Sequence, residues 1–127
     1  MSGKDLFKDL FIFELANNHQ GEVSNGLGII RAVARIARER RIHAGVKFQF
    51  RDLDTFIHPA FRGRKDVEHI PRFLSTRLSR GDFTTLVDAV REEGMIPIAT
   101  PFDEASVGQC VDLGIQVIKV ASCSACD

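Results

Sequence analysis

The sequence has little cysteine, no net charge and no long hydrophobic run. Its 17 basic and 17 acidic side chains give a formal charge of zero, so it lacks the positive field with which nucleic-acid-binding proteins hold phosphates. No apolar run approaches the roughly 18 residues of a membrane-spanning helix. The N-terminal segment carries charges too close to its apolar stretch for a signal peptide. These absences predict a cytoplasmic protein with no nucleic-acid or membrane partner.

The three cysteines, Cys110, Cys123 and Cys126, are an odd number in a chain without a secretion signal. We therefore expect free thiols in a reducing compartment rather than a disulfide framework. Cys123 and Cys126 form a C-x-x-C spacing just after a predicted strand, where a thioredoxin-type redox pair would lie. No second C-x-x-C completes a structural zinc site. Incidental thiols are the favoured interpretation, and a thiol oxidoreductase is the alternative.

The hydrophobic pattern switches repeatedly between the period of a strand and the period of a helix. Ser79 with Asp82, and later Asp103, supply helix caps, while Gly94 and Gly114 supply helix ends. Short apolar runs predict strands at 10–14, 44–50, 95–100 and 116–121, and amphipathic segments predict helices that follow Ser24, Ser79 and Asp103. The long connection 51–78 is expected to be functional or flexible.

This alternation is typical of βαβ units with a parallel sheet, and it predicts an α/β fold. Four strands in 127 residues correspond to about 32 residues per unit, close to the roughly 30 of a (β/α)8 barrel. A flavodoxin-like doubly wound sheet is the alternative, although it would normally close with a fifth strand and a further helix. We therefore expect residues 1–127 to be the N-terminal half of a parallel (β/α)8 TIM-type barrel, in a truncated chain.

Polar side chains collect at the C-terminal ends of the predicted strands, where the loops of a parallel barrel build active sites. They are Glu14, Lys47, Gln49, Thr100, Lys119 and Ser122. A lysine within a strand of valine and phenylalanine would cost free energy if it were buried without a partner. Two lysines, two hydroxyls and a carboxylate at one rim predict a receptor for a small, doubly charged anion. Ion pairs that only fill a barrel end are the structural alternative.

Four separated segments carry a resemblance that covers nearly the whole chain. They are Phe-Glu-Leu-Ala-Asn-Asn-His-Gln-Gly at 13–21, Val-Lys-Phe-Gln at 46–49, Thr-Pro-Phe-Asp at 100–103 and Lys-Val-Ala-Ser at 119–122. In order and spacing they resemble the N-terminal barrel half of the N-acetylneuraminate (sialic acid) synthase family. That family includes spore-coat polysaccharide E-like and legionaminate or pseudaminate synthase-like enzymes. The resemblance implies a transferase that condenses phosphoenolpyruvate with an N-acylated, N-acetylmannosamine-like aldose to give a nonulosonic (sialic-type) acid and phosphate.

The resemblance also implies roles for individual residues. Glu14 matches the catalytic carboxylate beside the reacting carbons, and Ala16 stands where the family often has glycine. The residues that match phosphoenolpyruvate-binding positions, or lie in the same pocket, are Lys47, Gln49, Thr100, Lys119 and Ser122. The residues expected on the sugar side or in loop-fixing contacts are Asn18, His19 and Ser124. Because some members have an acidic, sugar-contacting residue where Ser124 stands, the resemblance leaves the acceptor sugar open.

The resemblance further implies a divalent metal, Mn or Mg, in the complete enzyme. The family's histidine ligands lie in the other barrel half, so we assign no metal ligand to this chain. A homodimer is implied for the complete protein. We expect the fragment alone to be inactive, and a non-catalytic fragment is the alternative to a synthase.

Overall fold

A computed structural model describes residues 3–126. Its framework is one sheet of four strands: β1 (Leu10–Ala16), β2 (His43–Phe50), β3 (Ile96–Pro101) and β4 (Val117–Ile118). The strands follow each other in sequence order, and each neighbouring pair is parallel. The predicted parallel α/β fold is therefore confirmed.

Helices connect these strands. The helices of the described chain are α1 (Gly3–Leu6), α2 (Val23–Arg40), α3 (Leu53–Phe56), α4 (His69–Ser75), α5 (Arg80–Glu92) and α6 (Glu104–Asp112). Two 3-10 turns occur at Pro59–Phe61 and Ser122–Ser124. No helix among residues 3–126 is long and apolar enough to cross a membrane.

The main core lies between the sheet and the helices α2 and α5. Val46 and Phe48 are completely buried there, because alternate residues of β2 point toward the helices. From the helices, Ile30, Leu86 and Val90 pack into the same cluster with no exposed surface. Lys47 and Gln49 alternate with the two apolar residues, so they belong to the opposite face of the sheet.

The predicted caps define two helix starts. The Ser79 hydroxyl accepts a hydrogen bond from the Asp82 N–H (3.0 Å), and the Asp82 carboxylate accepts one from the Ser79 N–H (2.9 Å). Asp103 caps α6 by accepting from the Ser106 N–H at 2.7 Å. Gly94 and Gly114 follow α5 and α6 with φ of 75° and 63°, a conformation in which glycine avoids a steric cost. These local predictions are confirmed.

Two features differ from the sequence-based expectation. β4 is much shorter than the predicted strand 116–121, because the ladder to β3 contains only Val117 and Ile118. Lys119 still donates its N–H to the Ala99 carbonyl (2.8 Å) before the chain enters the 3-10 turn. The connection 51–78 is also more ordered than expected: Leu53, Ile57 and Ile70 bury one another in a small second core. Apolar contacts therefore order the connection internally.

Candidate functional site

An ion pair between β1 and β2 forms the base of the candidate site. Glu14 and Lys47 are partners in the parallel ladder, and their side chains form a salt bridge. Lys47 is only 8% exposed, whereas the Glu14 side chain is 54% exposed. The carboxylate therefore offers a charge to an incoming molecule while it compensates a buried ammonium group.

A second polar layer lies one step further toward the C-terminal ends of the strands. Gln49 is the ladder partner of Thr100, and Lys119 follows the Ala99–Ile118 pair, which aligns it with Thr100. Thr100 is 2% exposed, and its Oγ1 has no hydrogen-bond partner among the described residues. Because buried hydroxyls are nearly always bonded, a bound water or ligand would satisfy this group.

The predicted residues at the end of β4 are accessible. Lys119 and Ser122 are both exposed, and Ser122 begins the 3-10 turn that ends at Ser124. The sheet thus brings Glu14, Lys47, Gln49, Thr100 and Lys119 onto two adjacent layers of one rim, with Ser122 following. Ammonium and hydroxyl groups in this arrangement can bind a phosphate or a carboxylate.

Arg51 is a residue that the sequence reasoning missed. Its guanidinium lies 3.8 Å from the Phe102 ring centroid and 4.4 Å from that of Phe73. Its Nη1 donates to the Gln49 Oε1 at 3.0 Å. Burial lowers the pKa of Arg51 from its ordinary value, while charge interactions with Cys123 and Asp103 raise it. The only sequence signal is an arginine two positions after a rim residue, and the aromatic partners come from distant segments.

Asp103 ties the loop after β2 to the loop after β3. Besides capping α6, its carboxylate accepts the N–H of Asp52 at 2.8 Å. The Phe102 N–H donates to the Phe50 carbonyl at 3.0 Å beside it. The Asp103 carboxylate therefore fixes both the start of α6 and the loop that carries Arg51 and Asp52.

An open cavity of about 550 Å³ lies beside this loop. Its walls include Gln49, Arg51, Phe83, Ser106 and Gln109. Three buried polar atoms of these residues have no partner among residues 3–126: Arg51 Nε, Ser106 Oγ and Gln109 Nε2. Ser106 and Gln109 carried no recognisable sequence signal, because they lie on an ordinary helix of the outer layer.

The loop after β1 is fixed by His19, which is 1% exposed. Its Nδ1 accepts the Gly21 N–H at 3.0 Å, and its ring meets Phe83 edge-on at 6.2 Å between centroids. Burial lowers the pKa of His19, which favours the neutral ring that accepts this bond. This is the contact of a loop-fixing histidine. Asn18 is exposed and Ser124 is half-buried, and contacts of these three residues with a sugar stay a prediction.

No group of three or more His, Cys, Asp or Glu side chains that could hold a metal ion lies together within residues 3–126. The C-x-x-C thiols Cys123 and Cys126 are exposed and free, and Cys110 is buried. Burial raises the pKa of Cys110 to about 11, which leaves it an unreactive thiol at neutral pH.

Comparison with known proteins identifies the family. Residues 34–127 match the model of the NeuB family. The chain belongs to the NeuB family. This is a family of phosphoenolpyruvate-dependent nonulosonic acid synthases that use divalent metals. No curated protein matches the chain significantly.

Solved structures of NeuB-like proteins share the fold. A protein described as spore coat polysaccharide biosynthesis protein E from Chromobacterium violaceum is 46% identical over 91% of the chain, with a TM-score of 0.88. An N-acetylneuraminic acid synthetase from Leptospira borgpetersenii, in complex with citrate, is 22% identical over 93%, with a TM-score of 0.73. A spore coat polysaccharide biosynthesis protein from Bacillus subtilis is 25% identical over 89%, with a TM-score of 0.58.

The chain spans about a third of these relatives, covering 34%, 37% and 29% of their respective lengths. Its four parallel strands correspond to part of a NeuB TIM barrel. The rim described above lies at the C-terminal ends of these strands, the end at which TIM-barrel enzymes in general carry their active sites.

Proposed function

We propose that the chain supplies the phosphoenolpyruvate-binding part of a synthase that joins phosphoenolpyruvate to an N-acylated aldose and releases a nonulosonic acid and phosphate. Membership of the NeuB family supports the reaction class. One observation carries the assignment to this rim: a buried lysine, paired with an exposed carboxylate, lies one layer below a buried threonine hydroxyl that has no partner.

The proposed ligand has two anionic ends, a phosphate and a carboxylate. Lys47 and Lys119 provide positive charge, and Thr100 and Ser122 provide hydroxyl donors. Charge-assisted hydrogen bonds of this kind are roughly twice as strong as neutral ones. In this proposal Gln49 adds an amide donor next to Thr100.

In the proposed reaction, the methylene carbon of phosphoenolpyruvate attacks the aldehyde carbon of the sugar. The new carbon–carbon bond uses the C=C bond of phosphoenolpyruvate and the C=O bond of the aldehyde, whose oxygen takes up a proton, and it leaves positive charge on the enol carbon. Water adds to that carbon, and the carbon–oxygen bond to phosphate breaks, so that the carbon becomes a ketone. The two protons of the water balance the new hydroxyl group and the departing phosphate, and the carboxylate remains in the product. Glu14 is assigned to this carbon, because a fixed negative charge stabilises the developing cation or guides the water.

Calorimetric titration of the chain with phosphoenolpyruvate tests the assignment. We expect weak but saturable binding, tighter than that of the neutral sugar N-acetylmannosamine. Lys47→Met and Lys119→Met keep the apolar stem and remove the charge, and each should weaken binding about tenfold or more, as for the loss of a charged hydrogen bond. Lys65→Met, at an exposed loop position, is the matched control. Equal affinity in the wild type and both rim variants would contradict the proposal.

A further inference from the structure

The orientation of the Gln49 side chain is fixed by chemistry. Its amide has an oxygen that only accepts hydrogen bonds and a nitrogen that only donates them. The Arg51 guanidinium has donors alone, and its Nη1 lies 3.0 Å from the Gln49 Oε1. The oxygen must therefore face Arg51, and the NH2 group must point to the other side of the amide.

Arg51 is itself held in place. Phe102 and Phe73 contact the guanidinium at 3.8 and 4.4 Å from their ring centroids, and Phe56 lies at 5.8 Å. A planar guanidinium stacks on aromatic rings as an ammonium group cannot. The arginine therefore acts as a rigid donor whose position is set by the loops after β2 and β3.

The Gln49 bond to Arg51 uses its oxygen, and Gln49 Nε2 is not among the buried atoms of residues 3–126 that lack a partner, so the NH2 group is open to solvent or a ligand. Its ladder neighbour Thr100 carries the buried Oγ1 that lacks a partner. An oxygen acceptor at this part of the rim, such as a carboxylate or phosphate oxygen, would satisfy either donor. If the amide turned round, its oxygen would face that acceptor and repel it.

We propose that Arg51 is a positioning residue, which fixes the Gln49 amide so that its NH2 group, and not its oxygen, is presented to a ligand at the rim. Only the identity of the ligand, phosphoenolpyruvate, rests on the function proposed above. The orientation of the amide is a property of the free chain and can be measured without any ligand.

The first test measures the Gln49 side-chain NH2 group by nuclear magnetic resonance in the free chain. Restricted motion is expected in the wild type. Arg51→Met keeps the stem between the rings but removes the donors, and the NH2 group should then become mobile. Arg51→Lys should restore this order only in part. Arg40→Met, at the end of α2, is the matched control. Unchanged Gln49 motion in Arg51→Met would overturn the proposal.

The second test separates positioning from a structural role. Gln49→Glu keeps the bond to Arg51 and gives it a charged acceptor, so thermal stability should be retained. The carboxylate has no NH2 to offer and adds a negative charge that repels an anion, so affinity for phosphoenolpyruvate should fall at least about 10- to 100-fold, the range for a lost bond to a charged group. Arg51→Met should lower the affinity for phosphoenolpyruvate about tenfold. Gln116→Glu, at an exposed position, is the control.

The outcomes distinguish this inference from the proposed function. If the wild type fails to bind phosphoenolpyruvate, the proposed function fails, and the mobility of the Gln49 amide alone decides the role of Arg51. If the wild type binds and Gln49→Glu binds equally well, the presented NH2 group is irrelevant and the inference is overturned.

Discussion

Lys47 is a buried lysine whose ionic partner is Glu14. An ammonium group at this position, with only 8% exposure, is tolerated because the Glu14 carboxylate compensates its charge. Removing one member of such a buried pair typically costs about 3–5 kcal/mol, although the exposure of Glu14 to solvent reduces that cost here. The pair therefore serves both the folding of the sheet and the charge pattern of the rim.

Glu14→Gln separates chemistry from binding. The variant keeps the size of the side chain but removes the charge assigned to the developing cation. In a barrel completed by the remaining strands of the Chromobacterium relative, turnover should fall on the order of 100-fold, while phosphoenolpyruvate affinity changes little. Steady-state kinetics with a parallel binding titration measures both quantities.

The exposed thiols provide the control for this prediction. The double variant Cys123→Ser with Cys126→Ser should retain nearly full turnover, since the mechanism uses neither sulfur. If the double variant were inactive and Glu14→Gln remained active, a thiol-based reaction would replace the proposed one.

His19 makes the stability of the chain depend on pH. Because burial lowers its pKa in the folded state, the unfolded chain binds more protons below the ordinary value of about 6.5. The free energy of unfolding should therefore fall as the pH drops from 7 through this window toward the folded-state pKa of His19. Three carboxylates also have lowered pKa values: Asp54, Asp66 and Asp82. Their contributions to the free energy of unfolding would be lost only at more acidic pH.

Denaturant unfolding between pH 5 and pH 7.5 measures this effect. His19→Asn preserves an acceptor for the Gly21 N–H but cannot titrate, so its stability should change less over the same range. His58→Asn is the matched control, because the exposed His58 makes the same type of bond to the Ala60 N–H. A pH profile of His19→Asn that is identical to the wild type would exclude His19 as the cause.

At the scale of the element, α5 is the helix with the most complete start signal. Its capping box satisfies two backbone N–H donors at once, those of Ser79 and Asp82. Ser79→Ala should lower the free energy of unfolding by about 1 kcal/mol, the usual cost of losing a side-chain cap. Ser24→Ala is the comparison, because Ser24 is exposed in the first turn of α2, which has no side-chain cap. Equal destabilisation of the two variants would contradict the importance of the cap.

The elements that the sequence predicted well are those with local causes. Ser79, Asp82 and Asp103 act within three residues of their own positions, and the alternation of β2 requires only the period of a strand. The predicted length of β4 was wrong, because the number of its residues that pair depends on the neighbouring strand β3. The small core around Leu53, Ile57 and Ile70 was also missed, because its members lie far apart in a segment without clear periodicity.

At the scale of the whole molecule, the sheet has two open edges. Phe11 and Ile12 on β1 are 54% and 51% exposed, and Ile118 on β4 and the following Val120 are 44% and 62% exposed. In a closed barrel, strands and helices cover such edges.

The sequence motifs predicted the rim because strand ends converge in any parallel sheet. The contact of Arg51 with Phe73 and Phe102 was not predicted, since both rings are more than twenty residues away in the sequence.

Closing the barrel tests most directly the proposal that this chain supplies the phosphoenolpyruvate-binding part of a nonulosonic acid synthase. The chain is fused to the portion of the Chromobacterium relative that follows the matched segment, and the fusion is incubated with phosphoenolpyruvate, N-acetylmannosamine and Mn²⁺. We predict equimolar formation of phosphate and a nonulosonic acid, abolished by Lys47→Met and retained by Lys65→Met. A folded fusion that binds phosphoenolpyruvate but forms no carbon–carbon bond with this or any other N-acylated aldose would contradict the account.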